Sequence, residues 1–315
     1  DSFLVTLDVV ALYPSIPHQD GLAALRSFLS DSRFDSKFVD AIVELSKFVL
    51  EHNFFEFDGQ FYLQTKGTAI GTTMAVVYAV IFMHVFETAA LAGAPFSPLV
   101  WLRFIDDVFM IWPHSEESLS VFVTYLNSIN SSIQFTYRCS RSSIDFLDIL
   151  VSKDSDGLVS TDLFIKETDT HQFLHNNSCH PGHIKRSLSF SQTLRYRRIC
   201  SAEERARFHS DNLEEFLVSR QYGKRSVRFQ IEKAFRQDLS SRRVSVADDN
   251  RVNLILTYHP GLPNISVKLR ELHGVLSVDP LLARAFPSPP RVAFRRPKNL
   301  RDKFIRSRLP SSSPN

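Results

Sequence analysis

The chain has 315 residues, 43% hydrophobic and 12% aromatic, which is enough to bury a core in two folding units and too apolar for a disordered chain. Its formal charge of +3 conceals an asymmetry: residues 1–150 carry 8 Lys+Arg against 17 Asp+Glu, net −9, and residues 151–315 carry 29 against 17, net +12. An acidic half suited to metal ions is thus joined to a basic half suited to phosphates, and three cysteines (Cys139, Cys179, Cys200) without an apolar leader point to a reducing intracellular setting, not a secreted disulfide framework.

Phe3 to Val9 is almost continuously apolar, as in a strand covered on both faces, and leads into a Pro14-Ser15-Ile16-Pro17 turn. Because Asp1 runs straight into this strand, an upstream segment is expected. After a first helix, Phe38, Ile42, Leu45 and Val49 recur at helical spacing and predict a second, ending near His52-Asn53. Phe54–Phe57 and Gln60–Leu63 flank Asp58-Gly59 as a β-hairpin. A loop from Thr65 to Thr73, with Gly67 and Gly71, precedes the apolar stretch Ala75–Phe86. That stretch contains His84 and is shorter than the roughly 20 residues of a membrane span, so it reads as a core helix, with no membrane partner expected.

Val100–Ile105 and Val108–Trp112 read as a second hairpin with Asp106-Asp107 at its tip. Leu119, Phe122, Val123, Leu126 and Ile129 then form a helical stripe, and Ile133–Tyr137 a returning strand. With the two helices and first hairpin set aside as an insertion, the order is the split β-α-β-β-α-β sheet with helices on one face, an α+β fold. Such a sheet brings Asp8 opposite the Asp106-Asp107 tip. Phe146–Val151 and Leu158–Ile165 flank a turn at Ser155-Asp156-Gly157, after which helices dominate, one opening with the capping-box spacing Ser201–Glu204. From Phe286 onward, Pro and Arg predict a linker or basic arm.

Nucleotidyl transfer uses two divalent ions about 4 Å apart, and magnesium takes oxygen ligands. Asp8, Asp106 and Asp107 are the candidates. Asp248-Asp249 lies in a polar stretch, whereas Asp106-Asp107 is flanked by Trp101–Ile105 and Val108–Trp112, where adjacent charges are costly unless a cation or a turn accommodates them. A plain exposed turn is the alternative. His175, Cys179, His180 and His183 are irregularly spaced for zinc and read more readily as a helical turn.

Taken together, Asp8–Tyr13 (DVVALY), Gln64–Gly71 (QTKGTAIG) and Phe104–Asp107 (FIDD) occur in the order and settings of reverse transcriptase motifs. FLDILV (Phe146–Val151) and the later KETDT and SCHPGHIKRS segments resemble Penelope-like element reverse transcriptases, and the resemblance runs from Asp1 to about Arg308. It implies a palm over residues 1–152, a thumb-like helical region over 153–240 and a basic connector over 241–315. It also implies RNA-directed DNA synthesis from dNTPs on a DNA primer and RNA template, with two Mg²⁺ ions, or Mn²⁺ in their place.

Carried over residue by residue, Asp8, Asp106 and Asp107 match the catalytic carboxylates, with the Val9 carbonyl as an added metal ligand. Tyr13 matches the aromatic that disfavours a 2′-hydroxyl, and Gln64, Lys66 and Gly67 match the loop beside the incoming nucleotide. Lys185, Arg186, Arg195, Arg197, Arg198, Lys224 and Arg225 are the expected nucleic-acid contacts. Phe104 replaces the Tyr of many relatives, and neither the family's fingers segment nor a GIY-YIG endonuclease is recognisable. The rival expectation is an inactive nucleic-acid-binding remnant; a nuclear location follows from the substrate.

Overall fold

In a computed structural model, which describes residues 2–32, 34–240, 251–276, 278–299 and 304, the apolar run from Phe3 is the strand β1 (Phe3–Val9), buried throughout except at Asp8. The chain divides into two units, one ending at Phe164 and one beginning at Ile165. The first unit continues with the single turn α1 (Leu12–Ser15), α2 (His18–Ser30), α3 (Ser36–Glu51), and the hairpin β2 (Phe54–Phe57) and β3 (Gln60–Leu63). There follow α4 (Ala75–Ala92), β4 (Val100–Phe104), β5 (Asp107–Trp112), α5 (Glu116–Ile129), β6 (Phe135–Ser140), β7 (Ser143–Phe146), β8 (Ile149–Lys153) and β9 (Val159–Leu163).

The main sheet has the order β4-β5-β1-β6 with every neighbouring pair antiparallel. In such an order the first and third strands of a split β-α-β-β-α-β unit lie side by side at its centre. Alternation sorts the side chains. Val5, Leu7 and Val9 of β1 and Val108, Met110 and Trp112 of β5 share a core with Tyr78, Phe82, Met83 and Phe86 of α4 and Phe122 and Leu126 of α5. Leu4 and Phe109 emerge on the opposite face, where Ile144 of β7 and Val151 of β8 cover them. Cover on both faces explains the unbroken apolarity of β1. The expected boundary after Ser152 lies inside this layer: β8 runs to Lys153 and pairs with β9, so the first unit reaches Phe164.

Two helices differ from expectation in which face they bury. On α3 the buried residues are Val39, Val43, Ser46 and Leu50, of which Val39 and Val43 pack with Leu25 and Ile81 and Leu50 joins the main core, while Phe38 and Val49 are exposed and Leu45 is 62% exposed. Both stripes have helical spacing, so periodicity alone could not choose between them. On α5 the expected stripe is buried from Leu119 to Leu126, but Ile129 is exposed. The long apolar helix α4 is long and apolar enough to cross a membrane by length and composition, and 44% of it is buried inside the fold.

The second unit contains α6 (Gly182–Ile199), α7 (Glu203–Ser219) and α8 (Lys224–Phe235), which pack on one another through Leu194, Leu213, Leu217, Val227 and Ile231. The N-cap of α7 is Ala202, one residue after the Ser201 expected from the capping-box spacing. Part of the expected connector is folded. The strands β10 (Asn253–Thr257) and β11 (Arg291–Arg295) pair in parallel, joined through α9 (Ile265–Leu276) and α10 (Pro280–Ala285). Alternating Leu254, Leu256, Val292 and Phe294, all half-buried, make strands of segments that composition marks as linker.

Candidate active site

The carboxylates converge where β1 ends. Asp8 stands directly opposite Asp107 in the β1–β5 register, a pairing that sets the two Cβ atoms roughly 4.5–5.5 Å apart on one face. Asp106 follows Ile105 in the turn between β4 and β5, and its carbonyl accepts a hydrogen bond from the Val9 N–H at 3.2 Å. The tip is therefore Ile105-Asp106, not Asp106-Asp107, and Asp107 is the first residue of β5. Burial and then the negative charge of Asp106 push the Asp8 carboxyl above its ordinary range. Among the described residues no side chain donates to Asp8 or Asp106, so a cation would relieve this repulsion. Asp248-Asp249, the polar counterpart in the sequence, lies outside the described residues.

The turn itself is strained. Ile105 has φ 58°, a left-handed conformation that costs a non-glycine residue roughly 1–3 kcal/mol and is least suited to a β-branched side chain. Arg103, two residues earlier, donates from Nη1 to the Ile105 carbonyl at 3.1 Å. Its guanidinium is held by Glu87 of α4, with Nε to Oε2 at 2.8 Å and Nη2 to Oε1 at 2.9 Å, and Trp101 donates from Nε1 to the same Oε2 at 3.0 Å. Burial would raise the Glu87 carboxyl, but the hydrogen bonds from Arg103 and Trp101 and the charges of Arg103 and His84 outweigh it and leave it below the usual glutamate range. Sequence reasoning missed this cluster. Its signal was available: Glu87 is the one charged residue in Ala75–Ala92, and Arg103 alternates with outward-facing Leu102 and Phe104 on an apolar strand.

The glycine loop docks beside the same end of β1. Gly67 is buried with φ 72°, and a Cβ there would lie 2.4 Å from the Pro14 Cα, so only glycine fits. Thr68 N–H donates to the Tyr13 carbonyl at 2.8 Å, and His18, another residue missed from the sequence, contacts the Gly67 carbonyl through Nε2 at 2.8 Å. Tyr13 is half-buried against the main core. Lys66 is exposed, but the Gln64 amide braces the loop: it accepts from Asn53 Nδ2 at 2.7 Å and donates to the Lys66 carbonyl at 3.0 Å.

In the second unit the basic candidates fall into two groups. Arg186, Arg198 and Arg225 are exposed, and exposed Lys224 stands 3.7 Å from Glu214. Arg195 is half-buried. Arg197 and Lys185 are tied down. Arg197 donates to the Ala234 and Gln237 carbonyls at the end of α8, where a cation suits the helix dipole, and Lys185 donates to the Asn176 and Ser178 carbonyls. His175 accepts from the Asn177 N–H and His180 contacts the Ser178 hydroxyl, making turns before α6; among the described residues these histidines and Cys179 form no metal-binding cluster.

By sequence, the family described as "Animal helix-turn-helix domain" matches residues 172–232. No curated protein matches the chain. Among solved structures, the telomerase of Candida albicans in complex with a fragment of telomeric RNA is similar over 91% of this chain and 45% of its own, with TM-score 0.52 and 10% identity. The RNA-dependent RNA polymerase of a human picobirnavirus is similar over 73% of this chain and 43% of its own, with TM-score 0.48 and 12% identity. Apo telomerase from Candida tropicalis covers 74% of this chain and 40% of its own, with TM-score 0.42 and 11% identity. The chain spans less than half the length of each of these proteins. Its fold is similar to that of the Candida albicans telomerase.

Proposed function

We propose that this chain is the palm and thumb-like part of a reverse transcriptase of a retrotransposable element, related to the Penelope-like elements, that extends a DNA primer on an RNA template with dNTPs. The observation that carries the reading is the Asp8–Asp107 pairing beside Asp106 at the open end of the central strands. The shared fold supports the class.

Three converging carboxylates, two without a protein donor among the described residues, suit hard divalent cations. Asp8, Asp106 and Asp107 would hold two Mg²⁺ ions, with Mn²⁺ as a substitute and the Val9 carbonyl as a further oxygen. The chemistry such ions would supply there is activation of the primer 3′-hydroxyl and neutralisation of the departing pyrophosphate. The chain's own residues position the reactants: Gly67 lets the loop backbone approach, exposed Lys66 faces solvent near it, and Tyr13 limits space at the sugar. Gln64 braces that loop, and with Lys66 it lies beside the incoming nucleotide on this reading.

On this reading the first unit, which reaches Phe164, is the palm, the helices that follow to residue 240 are the thumb-like region and 241–315 is a basic, partly folded connector, and the protein works inside the cell, in the nucleus. Arg186, Arg195, Arg198, Lys224 and Arg225 of the helical unit contact the duplex backbone, and the helix-turn-helix match over residues 172–232 supports that part independently. Primer extension with Mg²⁺, comparing the chain with Asp106→Asn, tests the reading. Incorporation by the unsubstituted chain alone is the expected result; equal incorporation by both proteins excludes the site, and none by either leaves a nucleic-acid-binding remnant. Replacing Tyr13 by Ala raises ribonucleotide use if the substrate is a dNTP, and leaves it unchanged in an RNA-dependent RNA polymerase.

A further inference from the structure

We infer that Arg103, gripped by Glu87, is a positioning residue that fixes the strained Ile105-Asp106 turn and so sets where the Asp106 carboxylate stands. This inference rests on the polymerase reading of the carboxylate site.

The argument begins with the burial of the ion pair. The Arg103 side chain is 8% exposed and that of Glu87 15%, so both charges have left water. An apolar pair of equal volume in such a place is as stabilising or more so, which means that stability does not account for the charges. Their connections do. Arg103 uses Nε and Nη2 on the two Glu87 oxygens, Nη2 also reaches the Val80 carbonyl at 3.4 Å, and Nη1 is directed to the Ile105 carbonyl. A planar fork allows this division of labour; a lysine ammonium, a single point of donation, does not.

The turn is then held on both sides of Asp106. The carbonyl before it accepts from Arg103, and its own carbonyl accepts from the Val9 N–H at 3.2 Å. The first bond ties the tip to α4 through Glu87, and the second ties it to β1, which carries Asp8. Trp101 locks the Glu87 carboxylate from the neighbouring inward position of β4. Residues in left-handed backbone persist where their surroundings over-determine them, and the clamp supplies that surrounding at Ile105.

The test uses the full chain with two changes: Arg103→Lys, which keeps the charge and loses the fork, and the double variant Glu87→Leu/Arg103→Met, which replaces the pair by apolar volume. Both are expected to fold with the melting temperature of the unsubstituted chain to within a few degrees. Deuterium uptake over residues 104–108 should quicken about tenfold in both, with the β1–β6 ladder unchanged. In primer extension kcat should fall about 100-fold, the scale of a misplacement near 1 Å, with the dNTP KM nearly constant and the half-saturating Mg²⁺ concentration raised. Wild-type exchange at the tip in the double variant overturns the inference, as does a loosened tip with kcat and Mg²⁺ dependence untouched. If the unsubstituted chain extends no primer, the polymerase reading falls, and tip exchange alone decides the clamp.

Discussion

Two of the tight hairpins in the first unit, β2–β3 and β4–β5, are built on opposite principles. The β2–β3 turn uses Asp58 and Gly59 at φ 50° and 76°, residues that tolerate positive φ, and its strands expose Phe54, Phe55, Phe57, Phe61, Tyr62 and Leu63. The β4–β5 turn places Ile105 at φ 58°, against its preference, and its second strand is buried through Val108, Phe109, Met110 and Trp112. The first hairpin follows the local rules at its turn. The second violates them at one residue, beside the carboxylates, and is held by a buried ion pair. Leu147 in the β7–β8 turn also sits at positive φ, 55°, so what sets the β4–β5 turn apart is its strained residue together with the adjoining carboxylates and the buried ion pair.

The sharpest way to break this contrast is to neutralise the carboxylate at each tip. Asp106→Asn should lower primer extension by at least about 100-fold, whereas Asp58→Asn should leave it within about twofold, measured side by side with Mg²⁺. Similar losses in both would mean that the two turns are not functionally distinct.

The next largest effect concerns the anchor. Glu87→Gln leaves the Arg103 charge buried without its partner and should cost about 3–5 kcal/mol at neutral pH. The folded state holds Glu87 below its ordinary value of 4.5. The ionised pair therefore contributes stability above that value, and the contribution is lost as pH falls through the lower folded pKa. Urea melts from pH 7 down to pH 3 should show the difference between the chain and Glu87→Gln shrinking below about pH 4.5; a constant difference would mean that Glu87 does not carry the acid limb.

Much of this contrast was legible in the residues. The continuous apolarity of β1, the hairpin ending in Val108–Trp112, the Asp58-Gly59 signal and the positions of Asp8, Asp106 and Gly67 follow from local chemistry, because each depends on a few neighbouring residues. What was not legible depends on contacts distant in sequence. The choice between two stripes on α3 is made by Leu25 and Ile81, the burial of β1 on its second face by β7 and β8, and the tying down of Arg197 by the end of α8. The pairing of Glu87 with Arg103 is of the same kind: each residue was anomalous in its own segment, but nothing local joined them. The folded β10–β11 pair was obscured by the proline- and arginine-rich composition around it.

A smaller effect tests the turns directly. Ile105→Gly removes the left-handed strain but adds glycine's entropy and gives up the packing of the half-buried Ile105 side chain on the core, a balance that should leave stability within about 1 kcal/mol. Gly59→Ala has no strain to relieve and should destabilise the chain by about 1 kcal/mol, since φ 76° does not suit alanine. Urea midpoints measure both, and Ile105→Gly should also slow incorporation by loosening the carboxylate tip while Gly59→Ala does not. A loss of more than about 2 kcal/mol in Ile105→Gly would mean that packing outweighs strain at this turn.

The smallest expected change is at Phe57, exposed on β2 opposite Gln60 with no aromatic partner among the described residues. Phe57→Ser removes little buried area and should shift stability by no more than about 0.5 kcal/mol, whereas Phe109→Ala, 8% exposed on β5 between the sheet and Phe146, should cost about 3–5 kcal/mol. Paired urea melts measure both. A loss above about 1.5 kcal/mol at Phe57 would mean that the ring is packed in solution, and the β2–β3 hairpin would then have to be treated, like β4–β5, as an anchored element.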